Sequence, residues 1–295
     1  MRSDQTRLKF IKPQEPLLVL EVPLSDDWLH EIKYDGFRTQ LILDWAGGRA
    51  FTRTGIDWSK RYWPIVAALE KLPAKTLILD GEVIAPEADG RPNFHQMHSR
   101  MAWNAELLAF VAFDILHKDG KDLRALPTIE RKAILWNVVK PAEGIIQYSQ
   151  HVEGGGAEFF AAVDKMGLEG MVSKRKNSPY RAGKSDAWVK AKCWDVADFE
   201  LIGVKRERGK QTEGLMARDG KYVGSAVIAT NRSIKERLLR RLERARAEQP
   251  AGVPKAIAGP SVEWVSPGIT ARVRYLRGES KLRHASVQDL HDEGT

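Results

Sequence analysis

The chain has 295 residues, of which 43% are hydrophobic and 29% charged, so it is long enough for two folded domains. No apolar run approaches the roughly 20 residues of a membrane-spanning helix, no signal peptide is recognisable, and the single Cys193 cannot form an internal disulfide. These features exclude an integral membrane protein and a disulfide-stabilised scaffold, and they indicate a reducing, cytoplasmic setting.

The net charge of +8 is unevenly distributed. Residues 1–195 carry 28 Lys and Arg against 26 Asp and Glu, whereas residues 196–295 carry 19 against 13. A basic surface favours polyanions through counterion release, although it also serves solubility alone. The charge therefore makes nucleic acid a candidate partner without identifying it.

Hydrophobic periodicity predicts alternating strands and helices in the first two thirds of the chain. Strands are predicted at 28–33, 37–44, 49–53, 77–85, 110–116, 145–149, 170–174 and 187–191. Helices are predicted at 62–72, 94–101, 128–139 and 157–166, with Thr128 as the N-cap of the third. This mixed order predicts an α+β domain over residues 1–195, with antiparallel sheets flanked by helices.

The pattern changes from about Asp198 onward. Short strands are predicted at 199–205, 214–217, 221–228, 262–266 and 271–276, together with a basic helix at 233–247 and a loop at 248–260. Short strands around one helix predict that residues 196–295 form a small closed β-barrel, such as an oligonucleotide-binding (OB) fold.

Lys33 lies in the first of five short strings that together indicate a lysine nucleophile for nucleotidyl transfer. The strings are EIKYDGFR (31–38), TRTG (52–55), LDGEVIA (79–85), LEGMVSKR (168–175) and WVKAK (188–192). A lysine amine attacks phosphorus only when it is neutral, so its pKa must be lowered. Lys190 and Lys192 share one face of a predicted strand, where their charges would have this effect on Lys33. Taken alone, both would be read as a solvated strand face, and Lys33 as an edge-strand charge.

Glu82 and Glu169 are the candidate ligands for a metal. Each lies beside a glycine in or next to an apolar strand, where an unpaired carboxylate is costly to bury. Nucleotidyl transfer needs Mg²⁺ to offset phosphate charge, and Mg²⁺ takes oxygen ligands from one or two carboxylates plus phosphates and waters. An ion pair with an arginine is the alternative for either glutamate.

Two arginines and one aromatic residue complete the candidate site. Arg38 and Arg53 lie near the strands that flank Lys33 and could grip phosphate or ribose oxygens, although a surface salt bridge is the alternative. Phe113, in AFDIL, could stack on a purine or belong to the core.

These strings, with SPYRAGKSDAWVKAKC and LRHASVQDL, resemble the successive nucleotidyltransferase motifs of the ATP-dependent DNA ligases. They are most similar to those of the ligase domain of bacterial non-homologous end-joining ligases. The resemblance implies an adenylation domain followed by an OB-fold domain. It also implies that Lys33 becomes covalently adenylylated, that Glu31 and the backbone at Ile32 and Lys33 read adenine, and that Phe113 stacks on the base.

The resemblance also assigns residues to ribose, phosphates and metal, namely Arg38, Arg53, Glu82, Glu169, Lys190 and Lys192. Arg38, Arg53 and Glu82 would hold ribose or phosphates, whereas Lys190 and Lys192 would contact the α-phosphate. Glu82 and Glu169 would act with Mg²⁺ or Mn²⁺.

The reaction that the resemblance implies begins with attack of Lys33 on ATP, which releases pyrophosphate. AMP then passes to the 5′-phosphate of a nick in duplex DNA, and the 3′-hydroxyl displaces it. The barrel domain would close over ATP and DNA by a hinge at 194–198. The expected setting is DNA repair by a monomeric, nucleoid-associated enzyme, with a Ku-type DNA-end-binding protein as a candidate partner and no membrane.

The chain departs from the ligase pattern at its end. The family pattern closes with an arginine and a lysine around an acidic residue, but this chain reads LHDEGT at 290–295. The departure implies slow self-adenylylation or the use of another residue, such as Arg283. The alternatives are an RNA ligase, a capping-type nucleotidyltransferase, and a poorly active DNA-end-binding scaffold, which would have no need of Lys33 together with its partner set.

Overall fold

The computed structural model describes residues 7–140, 144–228, 248–250, 253–254, 257, 259–277, 281–282 and 284–292. Contacts divide the chain into two compact units, Met1–Lys192 and Cys193–Thr295. The division falls three residues before the boundary inferred from sequence. Among the described residues, no helix is both long and apolar enough to cross a membrane.

The first unit is α+β, as predicted. Its strands are β1 (Gln14–Leu18), β2 (Trp28–Ile32), β3 (Phe37–Asp44), β4 (Gly47–Thr52), β5 (Leu77–Ile84), β6 (Ala109–Lys118), β7 (Lys121–Asp122), β8 (Ile146–Tyr148), β9 (His151–Glu153), β10 (Gly170–Arg175) and β11 (Gly183–Lys192). Its helices are α1 (Trp63–Leu69), α2 (Met97–Trp103), α3 (Thr128–Val139) and α4 (Gly156–Lys165), with short 3-10 turns at Phe94–Gln96 and Ala105–Leu107.

Two sheets form this unit. One has the order β1-β11-β10-β2-β9, and the other has the order β4-β3-β5-β6-β7 with β8 paired to β6. The pairings are antiparallel except β1 with β11 and β6 with β8, which are parallel. The expectation of antiparallel sheets is therefore right for most of the ladders and wrong for these two.

Apolar spacing in the helices explains how they cover the second sheet. In α1, Ile65 and Leu69 are four residues apart and fully buried, and both join the core cluster that includes Leu79 and Phe110 of the sheet. In α3, Leu135 joins the same cluster. A cavity of this unit is lined by residues of β1, β2, β3, β5, β6, β10 and β11, so both sheets contribute to it.

The predicted N-cap of α3 is wrong. Thr128 is the first residue of the helix, Pro127 occupies the N-cap position, and no side chain caps the helix. The Thr128 hydroxyl instead donates a hydrogen bond to the carbonyl oxygen of Ser178. A tertiary contact therefore takes the group that the local pattern assigned to capping.

The second unit closes into a barrel. Its strands are β12 (Trp194–Lys205), β13 (Glu213–Arg218), β14 (Lys221–Ile228), β15 (Val262–Trp264), β16 (Ile269–Leu276) and β17 (Ser286–Asp292). Following the ladders, β12 pairs with β13, β13 with β14, β14 with β17, β17 with β16, and β16 with β12 again. Among the ladders between these described strands, β14 pairs with β17 in parallel and the others are antiparallel. This closed five-stranded ring has OB-fold connectivity, as predicted.

Alternating inward residues fill the barrel. Leu201, Met216, Val273, Val287 and Leu290 are almost fully buried and form one cluster. The basic helix predicted at 233–247 lies outside the described residues, as do residues 251–252, 255–256 and 258 of the loop predicted at 248–260.

Candidate active site

Most of the residues predicted for the site surround a single cavity of the first unit, with a volume of about 220 Å³. The predicted residues that line it are Glu31, Ile32, Lys33, Arg38, Arg53, Glu82, Phe113 and Lys190. Glu169 and Lys192 do not line the cavity. Glu169 forms an ion pair with Lys33, which does line it, and Lys192 forms an ion pair with Glu169. All ten are therefore brought into one neighbourhood.

The turn after β2 fixes the position of Lys33. The Lys33 amide donates a hydrogen bond to the Gly170 carbonyl oxygen over 2.9 Å, which ties the end of β2 to β10. At Gly36, a Cβ atom would lie 2.1 Å from the Val83 carbonyl oxygen. Only glycine allows this approach, so the Asp35-Gly36 turn packs directly against β5 next to Glu82.

Glu169 holds two of the three predicted lysines. One of its carboxylate oxygens forms an ion pair with Lys33 Nζ, and the other lies 2.8 Å from Lys192 Nζ. Burial lowers the pKa of Lys190, and the charges of Lys33 and Lys192 lower it further. The like-charge effect is thus present at Lys190, while Lys33 itself faces a carboxylate.

Glu82 is a carboxyl group in a place that disfavours its charge. Burial raises the pKa of Glu82 to about 8; the nearby Lys33 and Arg38 oppose this shift, and Asp80 and Glu169 add to it. Burial and the neighbouring carboxylates make the charge of Glu82 costly, and a bound cation would lower that cost.

The donor set fits Mg²⁺ shared with a substrate. Glu82 and Glu169 provide two carboxylates, which is the number that proteins commonly contribute to Mg²⁺ bound through phosphates. Among the residues that the structure describes, no group of three or more His, Cys, Asp or Glu side chains could hold a metal by itself. Mg²⁺ held by these two carboxylates would take its remaining ligands from substrate oxygens and waters.

Arg38 is held by protein groups. Its guanidinium donates to both carboxylate oxygens of Asp80, at 3.1 and 2.7 Å, and to the Gln14 carbonyl oxygen at 2.6 Å. Tyr180 donates its hydroxyl to the same Asp80 at 2.7 Å. Glu82 is the cross-strand neighbour of Arg38, so these bonds fix the Arg38 guanidinium close to Glu82.

The other predicted arginine has a different environment. Arg53 lies just after β4, is exposed, and lines the cavity. Its charge contributes to the lowered pKa of Lys190. The two arginines therefore provide one rigid and one solvent-accessible cation.

Phe113 and Glu31 form another part of the wall, where buried lysines contact both. Lys174 Nζ lies 4.6 Å from the Phe113 ring centroid and 2.8 Å from a Glu31 carboxylate oxygen. Lys132 Nζ lies 3.1 Å from the same oxygen of Glu31, and the Ser149 hydroxyl donates to the other oxygen at 2.7 Å. These cations and the hydroxyl outweigh desolvation and lower the pKa of Glu31, so its carboxylate is ionised.

Sequence reasoning missed several lining residues, of which Tyr34, Val172, Lys174 and Trp188 lie inside the five strings. Trp188 could have been found because residues 188, 190 and 192 share one face of a strand. Its indole Nε1 is buried and has no hydrogen-bond partner among the described residues. Arg283 and residues 293–295 lie outside the described residues.

Comparisons with known proteins agree with this geometry. The family model of the ATP dependent DNA ligase domain matches residues 18–192. The multifunctional non-homologous end joining protein LigD of Pseudomonas aeruginosa is 30% identical over 283 residues, which cover 91% of this chain but 34% of that protein. The chain thus spans about a third of the length of this relative.

Two solved structures are similar over nearly the whole chain. A mycobacterial DNA ligase D complexed with ATP and MES has a TM-score of 0.59 and 26% identity, covering 95% of each chain. The ligase domain of Mycobacterium tuberculosis LigD has a TM-score of 0.58 and 26% identity, covering 95% of this chain and 94% of that one. The chain belongs to the ATP-dependent DNA ligase domain family.

Proposed function

We propose that this chain seals nicks in duplex DNA with ATP, through a lysyl-AMP intermediate on Lys33 and a DNA-adenylate. The observation that carries the proposal is the position of Lys33 at the wall of a cavity that also has Arg53 and Lys190 in its lining. An amine beside these two cations suits attack on a polyphosphate, because the cations stabilise the charge that develops in the transition state.

The first step depends on how the chain handles the Lys33 proton. Lys33 is ion-paired with Glu169, so the pair must open and the ammonium must lose its proton before the amine attacks the α-phosphorus. Attack forms the phosphorus–nitrogen bond and breaks the bond to pyrophosphate. Lys190 and Lys192, which share one face of β11, are proposed to neutralise the α-phosphate oxygens.

Glu82 and Glu169 are the proposed ligands for Mg²⁺, or for Mn²⁺. When bound, the metal would neutralise phosphate charge and orient the leaving pyrophosphate. Glu169 would then exchange its contact with Lys33 for the metal, which links metal binding to release of the nucleophile.

The other cavity residues are proposed to hold the rest of the nucleotide. Ionised Glu31 and the backbone at Ile32 and Lys33 would read the adenine, and Phe113 would stack on it. Arg53 is accessible to ribose or phosphate oxygens. Asp80 and Gln14 bind three of the five N–H groups of Arg38, so its proposed contact with ribose or phosphate would use the other two.

DNA recognition is proposed to involve the second unit. OB barrels commonly bind oligonucleotides and single-stranded nucleic acid. Residues 196–295 also hold most of the excess positive charge of the chain. Similarity to LigD supports a role in end joining, with a Ku-type DNA-end-binding protein as a candidate recruiter. We propose that the chain acts as a monomer associated with the nucleoid.

The proposal is tested by incubating the protein with α-labelled ATP and Mg²⁺, and then adding a nicked duplex. We expect label on the protein, its transfer to the 5′-phosphate, and a sealed strand. Lys33→Ala should abolish protein labelling, while the same variant given a pre-adenylylated nick should retain part of the sealing step. Labelling that persists in Lys33→Ala would show that another residue is the nucleophile.

The alternatives give different outcomes in the same assay. Preference for GTP would indicate a capping-type enzyme, and sealing of nicked RNA but not nicked DNA would indicate an RNA ligase. Binding to DNA ends without any protein-AMP would indicate a scaffold.

A further inference from the structure

A buried cluster of three charged residues extends from the wall of the cavity into the protein interior. Glu31 pairs through one carboxylate oxygen with Lys174 at 2.8 Å and with Lys132 at 3.1 Å. The side chains of Lys132, Lys174 and Glu31 are 0%, 1% and 2% exposed. Glu31 and Lys174 line the cavity, whereas Lys132 is outside the lining set and reaches the cavity only through Glu31.

Stability alone does not account for Lys132. Two ammonium groups share one carboxylate, so the cluster carries a buried excess of positive charge, and an apolar side chain of similar volume is often as good or better in such a place. Lys132 is nevertheless fully coordinated: it donates to the Ser149 carbonyl oxygen at 2.6 Å and lies 4.1 Å from the Tyr148 ring centroid. This geometry fixes the ammonium, and through it the orientation of Glu31.

The lone pairs of Glu31 show which atom is left for a ligand. A carboxylate offers about four acceptor positions. Lys174 donates a hydrogen bond to Oε1, with which Lys132 also forms an ion pair, and the Ser149 hydroxyl occupies one position of Oε2. The remaining position of Oε2 is an acceptor for an N–H group in the cavity, and the third proton of Lys174 is a donor beside it, because its others go to Glu31 and the Phe113 carbonyl oxygen.

We propose that Lys132 is a positioning residue for nucleobase recognition: by clamping Oε1 of Glu31 from behind the cavity wall, it directs the ionised Oε2 toward the exocyclic amine of adenine. The donor–acceptor pair that results suits a base edge with an amine next to a ring nitrogen. This inference rests on the proposed use of ATP and assigns the base selectivity of that same site.

The charge state of Lys132 makes the proposal accessible to pH. Burial lowers the pKa of Lys132 to about 8, against the opposing effect of Glu31 and together with the repulsion of Lys174. The titratable groups that face Lys132 from the surrounding elements are Glu31, Asp114, Tyr148, His151 and Lys174. Above about pH 8 Lys132 loses its charge, and Glu31 then keeps one cation of the two.

Equilibrium binding of a non-reactive ATP analogue tests the inference without the chemical step. We compare α,β-methylene ATP with the matching analogues of GTP and of purine riboside triphosphate, which lacks the amine. Lys132→Met should weaken ATP-analogue binding by about tenfold and reduce the preference over the other two. The reason is that Glu31 would no longer be held in position for its hydrogen bond with the adenine amine. Lys132→Arg should keep both, and Lys165→Met, at an exposed position of α4, is the matched control.

The wild-type protein provides a test that does not depend on a folded variant. Its preference for the ATP analogue over the purine riboside analogue should decline as pH rises through about 8, whereas Lys132→Arg should keep that preference. An unchanged affinity and selectivity in folded Lys132→Met, or a pH-independent preference in the wild type, would overturn the inference. Tight, selective nucleotide binding without any protein-AMP would instead contradict the proposed function and leave the base-reading result standing.

Discussion

Glu169 is the carboxylate on which the charge balance around Lys33 depends, since it is paired with Lys33 and Lys192 and only 6% of its side chain is exposed. Replacing it with Gln leaves two neighbouring lysines without their shared counter-charge and removes one proposed metal ligand. We therefore predict that Glu169→Gln slows self-adenylylation by at least about 100-fold, a typical loss when one charged group at a transition state is removed.

The measurement is protein labelling by α-labelled ATP over a Mg²⁺ titration. The rate should stay low at all metal concentrations, or recover only at high Mg²⁺. Glu153→Gln is the control, because Glu153 is 54% exposed and its ion pair with Lys176 lies at the surface. Normal labelling of Glu169→Gln at low Mg²⁺ would contradict both proposed roles of Glu169, as a metal ligand and as the partner of Lys33.

Asp114 and Arg131 form a second type of charged pair, one with no access to the cavity. Arg131 donates to both carboxylate oxygens of Asp114 at 2.8 and 2.9 Å, and both side chains are 0% exposed. We predict that Asp114→Ala lowers the free energy of unfolding by about 3–5 kcal/mol, because it leaves a buried guanidinium without its partner. Urea unfolding followed by circular dichroism measures this change.

The double variant Asp114→Leu with Arg131→Met separates the loss of the pair from the creation of an unpaired charge. It should recover most of the stability that Asp114→Ala loses, since apolar groups replace both ions. A double variant as unstable as the single one would mean that the other bonds of Arg131, to the carbonyl oxygens of Leu126 and Ser178, contribute more than the ion pair.

At the scale of elements, the turn between β2 and β3 connects the nucleophile to the acidic side of the cavity. Gly36→Ala would place a methyl group within 2.1 Å of the Val83 carbonyl oxygen and within 3.1 Å of the Glu82 side chain. We predict a loss of about 1–3 kcal/mol in stability, as for other overpacked sites. We also expect a fall in the labelling rate larger than the fall in the folded fraction, because Lys33 moves relative to Glu82.

Gly259→Ala is the matched control for Gly36→Ala, since no atom of the described residues lies within 4 Å of the atom it adds and its backbone needs no left-handed conformation. It should leave both labelling and stability unchanged. Normal labelling by a folded Gly36→Ala protein would show that the turn can shift without displacing the amine.

Sequence periodicity found the strands and helices of the first unit that have strong apolar patterns, and it missed those that lack them. β1 (QEPLL) contains a proline and a glutamate, and β9 (HVE) is three residues long with two exposed positions, so neither gives a period-two signal. Both are held by their neighbours in the sheet, β11 and β2. Their existence is a tertiary effect, which local pattern cannot encode.

The site was predictable to the same extent, and for the same reason. Lys33, Glu82 and Lys190 lie in strings whose residue types indicate their chemistry. Lys132 lies in an ordinary helical pattern, and its partner Glu31 is about a hundred residues earlier in the chain. No spacing rule brings these two together, so the cluster of Glu31, Lys132 and Lys174 depends on the tertiary contact between α3 and β2.

At the scale of the whole molecule, the uneven charge leads to a prediction about salt. Because residues 196–295 carry the larger net charge, binding of nicked duplex should rely on counterion release and weaken steeply with salt. Affinity for a fluorescent nicked duplex between 50 and 200 mM KCl should follow a straight line in log–log form, with a slope of about −0.9 per phosphate contact. Labelling by ATP is expected to depend on buried and half-buried groups of the cavity, which ions screen less than exposed charges, so its rate should vary much less over the same range. Equal salt dependence of the two measurements would mean that DNA is held by specific contacts near the cavity and not by the distributed charge of the barrel unit. Comparing the two salt dependences therefore distinguishes DNA binding by the charge of residues 196–295 from DNA binding by contacts near the cavity, and it requires no substitution.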